Sequence, residues 1–455
     1  MDVYQGHGGL QSGVPVNASS VLPEGDIGSA VRRGRRLAFQ IIDHLAFVAF
    51  LIYAMHVLVS PLDGQVIAQM GMAHSGYYGQ LITGKVGQVI FLLYLALRAD
   101  VVLKILPAFL SVLGGLAVLA ILSTAWSIAP LDTIHHAGDL FFCVLFPALF
   151  VRLFGFERTL WLTWITLSAI LLVSALLAAA GSEYALMGGL HEGRWRGLFQ
   201  HKNAFAPFAL CVGLFSGTLP ASVVRVPWLA HLVAALAVLC ILMSDSATTI
   251  IALPLAIAAA VAVHFFLRSM LAPFLIFVIE LAGIAATAVA SYGIAVIVFG
   301  ALGRQMNFTG RSKMWDAALP YSFDAPLGYG YGTGGGMTVL NAARRAGFAV
   351  APSLHSGYLT MAMDLGWLAV GIFALFLVSK FMLIGARERA MGRYAVMAAA
   401  IAMANICFAI TESDYGAYLG PPLFLIMLLS HAPTPRGASV FTAIDRHKPG
   451  KRARQ

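Results

Sequence analysis

The chain has 455 residues, 60% of them hydrophobic and only 11% charged, with a formal net charge of +9. A soluble domain carries charge on about a quarter of its positions, so a water-soluble globular fold is excluded. The apolar residues fall in blocks near the roughly 20 that a helix needs to cross a bilayer, and the period-two pattern of outer-membrane barrel strands is absent. The composition therefore predicts an all-α, polytopic integral membrane protein.

In chain order, residues 1–36 read as a basic N-terminal tail, disordered over the Gly-, Ser- and Pro-bearing first thirty residues. VRRGRR (31–36) abuts the first apolar run, as in an uncleaved signal anchor. About twelve spans follow, at 38–59, 80–97, 102–123, 135–153, 159–181, 203–219, 228–243, 246–267, 270–299, 357–384, 393–410 and 418–431. They define a membrane domain at 37–431 with one large outer loop at 301–356, followed by a basic tail at 432–455. With the N-terminus cytoplasmic, 20 of the 29 Lys and Arg residues lie in the tails and inner loops, as the positive-inside rule demands. Both termini are then cytoplasmic, and the net charge is matched to the anionic inner leaflet. No basic stripe remains for nucleic acid. Cys143, Cys211, Cys240 and Cys407 lie in apolar runs without CxxC or Cys/His spacing and read as small buried hydrophobes.

Nine cations break the charge rule: Lys85, Arg194, Arg196, Lys202, Arg304, Arg311, Lys313, Arg344 and Arg345. All but Lys85 fall in the outer segments 182–202 and 301–356, and cations kept at an outer membrane mouth point to an anionic partner. In GRWRGLFQHKNAF (193–205), Arg196 offers a planar fork for a phosphate. His201 and Lys202 stand at the water–lipid boundary, and Asn203 is placed to cap the next helix. Snorkelling to lipid phosphates is the alternative for Arg194, Arg196 and Lys202.

FTGRSKMWDAAL (308–319) predicts a helix capped by Thr309, with Arg311 in its first turn and Met314, Trp315 and Leu319 on one face. APLGYGYGTGGG (325–336) lacks GxxxxGK[ST] and a preceding strand, so it reads as a flexible turn or lid. TVLNAARRAGFAV (338–350) predicts a second short helix bearing Arg344 and Arg345. SLHSGYLTMAMDLGWLAV (353–370) sets His355 at the start of the tenth span. Histidine is suited to accepting a proton near neutral pH; a structural interfacial histidine is the alternative. TESDY (411–415) adds Glu412 and Asp414 at the outer end of the eleventh span, and Glu280 is an intramembrane carboxylate in the ninth. No Ser/His/Asp triad spacing, HExxH, nucleotide fold or DxD pair is present, so neither metal nor cofactor is expected.

RGLFQHKN (196–203), TGR with KMW (309–315), PLGYGYGT (326–333) and HSGYL followed by DLG (355–366) occur in that order. Together they resemble the O-antigen ligase/polymerase superfamily of bacterial envelope glycosyltransferases, and the RG-x-F-x-HKN form is most similar to its exopolysaccharide-polymerase branch. The resemblance covers roughly residues 120–415. It implies a GT-C-like fold in the inner membrane and metal-independent, inverting transfer of glycan from an undecaprenyl-diphosphate carrier at the periplasmic face. The acceptor would be a lipid-linked repeat unit or, for a ligase, lipid A–core. By the same resemblance Arg196 and Arg311 bind the diphosphate and His355 is the general base. Arg194, His201, Lys202, Asn203, Trp315, Tyr358, Arg344 and Arg345 are further candidate substrate contacts, and Trp195, Trp315, Tyr329 and Tyr331 candidate sugar-stacking rings. The family often has Asn after that histidine, where this chain has Ser356. A flippase or transporter for lipid-linked sugars would need polar sites near the midplane and often an inverted repeat; no repeat is seen, and the polar groups concentrate on one face.

Overall fold

A computed structural model describes residues 24–55, 57, 76–107, 111–266, 311–333, 354–391, 393–412, 418 and 420–432. Its helices are α1 (Glu24–Ala54), α2 (Gly76–Leu97), α3 (Ala99–Ile105), α4 (Val112–Leu122), α5 (Pro130–Phe154), α6 (Phe156–Ala179) and α7 (Lys202–Thr218). They continue as α8 (Pro227–Ser244), α9 (Ala247–Phe266), α10 (Arg311–Ala318), α11 (Tyr321–Asp324), α12 (Gly357–Met391), α13 (Arg393–Thr411) and α14 (Pro421–Leu429). Among the described residues the β structure amounts to an isolated antiparallel bridge between Leu186 and Trp195.

Six of the described helices are long and apolar enough to cross a membrane, or seven if α2 and α3, bent by 91° across Arg98, form one broken span. The protein is thus an all-α, polytopic membrane protein. The expected span at 102–123 is divided between α3 and α4, and that at 418–431 contains the nine-residue α14. At 1.5 Å per residue α14 covers only about 14 Å, and it is buried throughout. The expected ninth span, with Glu280, lies outside the described residues.

By its internal contacts the chain divides into Met1–Ala46 and Phe47–Gln455. In the first unit the described part of α1 starts at Glu24, ahead of the basic run, and turns Leu37, Ile41 and Leu45 outward. The second unit has two hubs. Around α5, Phe142, Phe146 and Phe150 interleave with Phe50, Phe91 and Phe424, the Phe50 and Phe146 rings stacking at 4.2 Å. α13 is the other hub, packed by α7, α9, α12 and α14. Leu172 and Leu176 of α6 and Leu232 and Leu242 of α8 stand exposed, as apolar positions facing acyl chains do.

Residues 325–333 of the glycine-rich stretch form a packed turn and not a lid. α12 breaks at Gly366 (φ 80°, ψ 167°), which frees carbonyls that must find donors inside a membrane protein. The turn supplies them: Tyr329 N donates to Met363 O (2.8 Å) and Gly330 N to Asp364 O (3.0 Å), while Gly332 N donates to the Asp364 carboxylate (2.7 Å). A Cβ on Gly366 would stand 1.9 Å from the Pro326 carbonyl oxygen. Tyr331 is buried and stacked on Tyr418 at 5.3 Å, so its ring is closed to a sugar. Burial, with the Asp364 carboxylate next, pushes its phenol well above the ordinary value. The hydroxyls of Ser127, Thr133 and Thr333 close a triangle that ties the turn to the start of α5.

Candidate functional site

α6 ends, α7 begins, α8 passes into α9, α12 begins and α13 ends at one side of the helix set, and the segment 180–201 lies at that side. Within it Arg196 N and Gly197 N both donate to Ala185 O, and Trp195 N donates to Met243 O. Gly197 has φ 57°, and a Cβ there would stand 2.5 Å from Ser174 Cβ on α6. That close approach explains the glycine after Arg196. Phe199 then plugs the α7 entry against Phe205 and Phe208, with ring centroids at 5.6 and 4.8 Å.

Arg196 is held by its own loop. Its Nε donates to Tyr184 O (3.2 Å), and the two terminal nitrogens donate to Gln200 O and Glu183 O (3.4 Å each). A guanidinium has five N–H donors, so two remain after these three bonds. Partial burial opposes its charge. Lys202 is buried, with its ammonium on the Asp245 carbonyl oxygen (2.7 Å), and Arg194 pairs with the Asp245 carboxylate (3.1 Å).

His201, not Asn203, caps α7: its Nδ1 accepts from Asn203 N (3.1 Å). The Asn203 side chain is thereby released to donate to Glu412 Oε1 (3.3 Å) at the end of α13. The other carboxylate oxygen of Glu412 stands 3.5 Å from His355 Nδ1. Glu412 therefore gathers the start of α7 and the residue leading into α12 onto one buried carboxyl. Ser356, where an amide was the family expectation, helps to begin α12 by accepting from Leu359 N (3.4 Å). The His355 side chain keeps 35% exposure, enough to be reached.

The surroundings are cation-rich. Burial, then Lys202 and Arg194, lowers the His191 pKa. Burial, then His191, pushes His201 down to about 4, with Lys202 and His355 adding to the effect and Glu412 opposing it. Neutral imidazoles fit the geometry, since Nδ1 of His201 must be unprotonated to accept the Asn203 N–H. Among the described residues no group of three His, Cys, Asp or Glu side chains is arranged to hold a metal ion.

α10 docks where α12 starts. Met314 and Ala318 pack with Leu354, Leu359 and Met363, and Trp315 Nε1 donates to Leu354 O (2.8 Å). Arg311 opens this helix, so its backbone lies one turn from the cluster flanking His355. Trp195 is buried, Tyr329 donates its hydroxyl to Tyr321 O (3.1 Å), and Tyr358 is partly exposed. Arg344, Arg345 and Thr309 lie outside the described residues.

Residues 232–374, just under a third of the chain, match the family model Wzy_C, described as O-antigen ligase. That segment is similar to the O-antigen ligase family. The matched segment contains Arg311 and His355, whereas Arg196, Asn203 and Glu412 lie outside it, and Glu412 joins Asn203 to His355. No curated protein and no solved structure matches the chain. Glu412 is the residue that sequence reasoning undervalued: its acidity at a span end was visible, its partners were not.

Proposed function

We propose that the protein is an inverting, metal-independent, GT-C-like glycosyltransferase of the inner membrane, acting at the periplasmic face on an undecaprenyl-diphosphate-linked glycan. Its main reaction is the joining of exopolysaccharide repeat units. The membrane domain is 37–431, with cytoplasmic tails at 1–36 and 432–455. The carrying observation is the Asn203–Glu412–His355 cluster at the N-termini of α7 and α12, with Arg196 held in the loop that leads into α7. Two helix N-termini and fixed guanidinium donors favour an anion.

In the reaction an acceptor hydroxyl attacks the anomeric carbon from the face opposite the diphosphate. A new glycosidic C–O bond forms, the bond to the phosphate oxygen breaks, and the electron pair leaves with the diphosphate. The hydroxyl proton passes to His355 Nε2, because Glu412 holds the N–H tautomer at Nδ1. The two remaining Arg196 donors, with Arg311, stabilise the charge gathering on the diphosphate, an effect of about 2.7–4 kcal/mol for one lost donor. One displacement inverts the anomeric centre.

The match to an O-antigen ligase model favours a second reading, transfer of finished glycan to lipid A–core. Complementation with His355→Ala, Arg196→Ala and Arg311→Ala, each checked for normal membrane levels, tests both. Extracellular polymer and lipid-A-linked glycan are scored separately. Loss of product in all three supports the mechanism, and the glycan that vanishes decides the acceptor. Retained activity sinks the clamp-and-base assignment and reopens a transport role.

A further inference from the structure

A second polar cluster sits inside apolar helices, away from His355 and unused by the chemistry above. On α5, His135 and Asp139 are one turn apart on one face. Tyr53 of α1 donates its hydroxyl to Asp139 Oδ1, and Gln88 Nε2 of α2 donates to the same oxygen (2.8 Å) and to His135 O (2.7 Å). The approach is built in: a Cβ on Gly138 would stand 3.2 Å from Gln88 Nε2. His136 lies beside His135, ring centroids 5.3 Å apart, and packs beneath the glycine turn, where a Cβ on Gly332 would stand 2.4 Å from its ring.

Polar side chains inside a span are costly and call for a reason. A sealed lock between three helices would bury every member. Here Tyr53, Gln88, His135, His136 and Asp139 are all only partly buried. The cluster is therefore not sealed by the packing around it. Among the described residues His135 Nδ1 is buried and makes no hydrogen bond, and Asp139 Oδ2 accepts none.

We propose that Tyr53, Gln88, His135, His136 and Asp139 form a saccharide-binding subsite that holds a ring of the acceptor glycan. No trio of metal ligands assembles among the described residues. A neutral polyol fits, because each hydroxyl both donates, to Asp139 Oδ2, and accepts, from an imidazole N–H. The subsite is joined to the transfer site: Gly332, above His136, donates to Asp364, which lies about 10 Å along α12 from its first residue. The identity of the ligand rests on the glycosyltransferase reading.

The probe is the delipidated repeat-unit oligosaccharide, released by mild acid from the lipid-linked pool of the producing cells. It is titrated calorimetrically into the purified full chain in detergent micelles. Asp139→Asn and Gln88→Ala are each expected to weaken binding about tenfold or more, the loss of a hydrogen bond to a charged group, while Gly371→Ala, with open space around it, binds within about twofold of wild type. In a transfer assay both variants raise the KM for acceptor and leave the KM for donor unchanged. If Asp139→Asn does not fold, Gln88→Ala, which keeps the carboxylate and its Tyr53 bond, carries the test. No binding by wild type, or undiminished binding by the folded variants, overturns the subsite, even where those variants melt earlier. Binding by wild type without any transfer from a diphosphate carrier instead overturns the proposed function and leaves the subsite standing.

Discussion

Removing the Glu412 carboxylate by Glu412→Ala strips His355 Nδ1 and the Asn203 amide of their shared acceptor. A hydrogen bond to a charged group contributes about 1.5–3 kcal/mol. The 3.5 Å separation from His355 puts this pair at the weak end, so about 1.5 kcal/mol of transition-state stabilisation is lost, or about tenfold in kcat. Removing the base itself by His355→Ala is expected to cost about 10²–10⁴-fold. If Glu412 acts through His355, the double variant should be no slower than His355→Ala alone, since residues acting as a unit are non-additive. The assay is single-turnover transfer from a polyprenyl-diphosphate glycan in proteoliposomes, with donor KM followed in parallel. Wild-type kcat in Glu412→Ala, or rate losses that multiply in the double variant, would refute the positioning argument.

Arg196→Lys keeps the charge but not the fork that binds three carbonyls and leaves two donors; transfer should fall about 10²–10³-fold, and wild-type rate in this variant would remove Arg196 from the clamp. His201 has its folded pKa pushed down to about 4 from 6.5, so its contribution to stability is intact above 6.5 and drains away as pH falls toward 4. The loss is about 2 kcal/mol by pH 5; melting curves at pH 7 and pH 5 should show it in wild type but not in His201→Asn, which keeps a capping oxygen. Gly366→Ala should abolish monodisperse folded protein, because its Cβ meets the Pro326 carbonyl oxygen, whereas Gly371→Ala, with open space around it, should be neutral or slightly stabilising; size-exclusion profiles of the two separate the outcomes. His355 has φ 50°, so His355→Gly should melt later than His355→Ala, by about 1–2 kcal/mol of relieved backbone strain, with both inactive.

The helical membrane character was legible because bilayer thickness imprints block lengths on a sequence. The number of spans was less so. α14 is enclosed by its neighbours and need not match that thickness, and the apolar run at 102–123 looks continuous although it is divided between α3 and α4. Hydropathy measures solvent preference, which a buried short helix and a lipid-facing long one share. The glycine stretch was misread for a similar reason: PLGYGYGT has the composition of a flexible lid, but its glycines are dictated by how closely the turn enters the break at Gly366. Composition records the missing Cβ and not what occupies its place.

The site was legible only as far as its charges were misplaced. Arg194, Arg196 and Lys202 stood out against the positive-inside rule, and His355 by its position before a span. Yet Lys202 and Arg194 chiefly serve Asp245, where α8 passes into α9. Glu412, the hub, left no local pattern because Asn203 and His355 lie 209 and 57 residues away. Among the described residues only Asp245 and His355 are non-glycine residues at positive φ, and both belong to this cluster. Each such residue costs of order 1–3 kcal/mol and persists only where its surroundings over-determine it. Around Asp245 that role falls to the Lys202 and Arg194 bonds; around His355 it falls to Trp315 on the Leu354 carbonyl before it and Glu412 on the ring. The left-handed turn lets a residue that opens a helix aim its ring back at the end of another, so the strained backbone of His355 is a condition of its meeting Glu412.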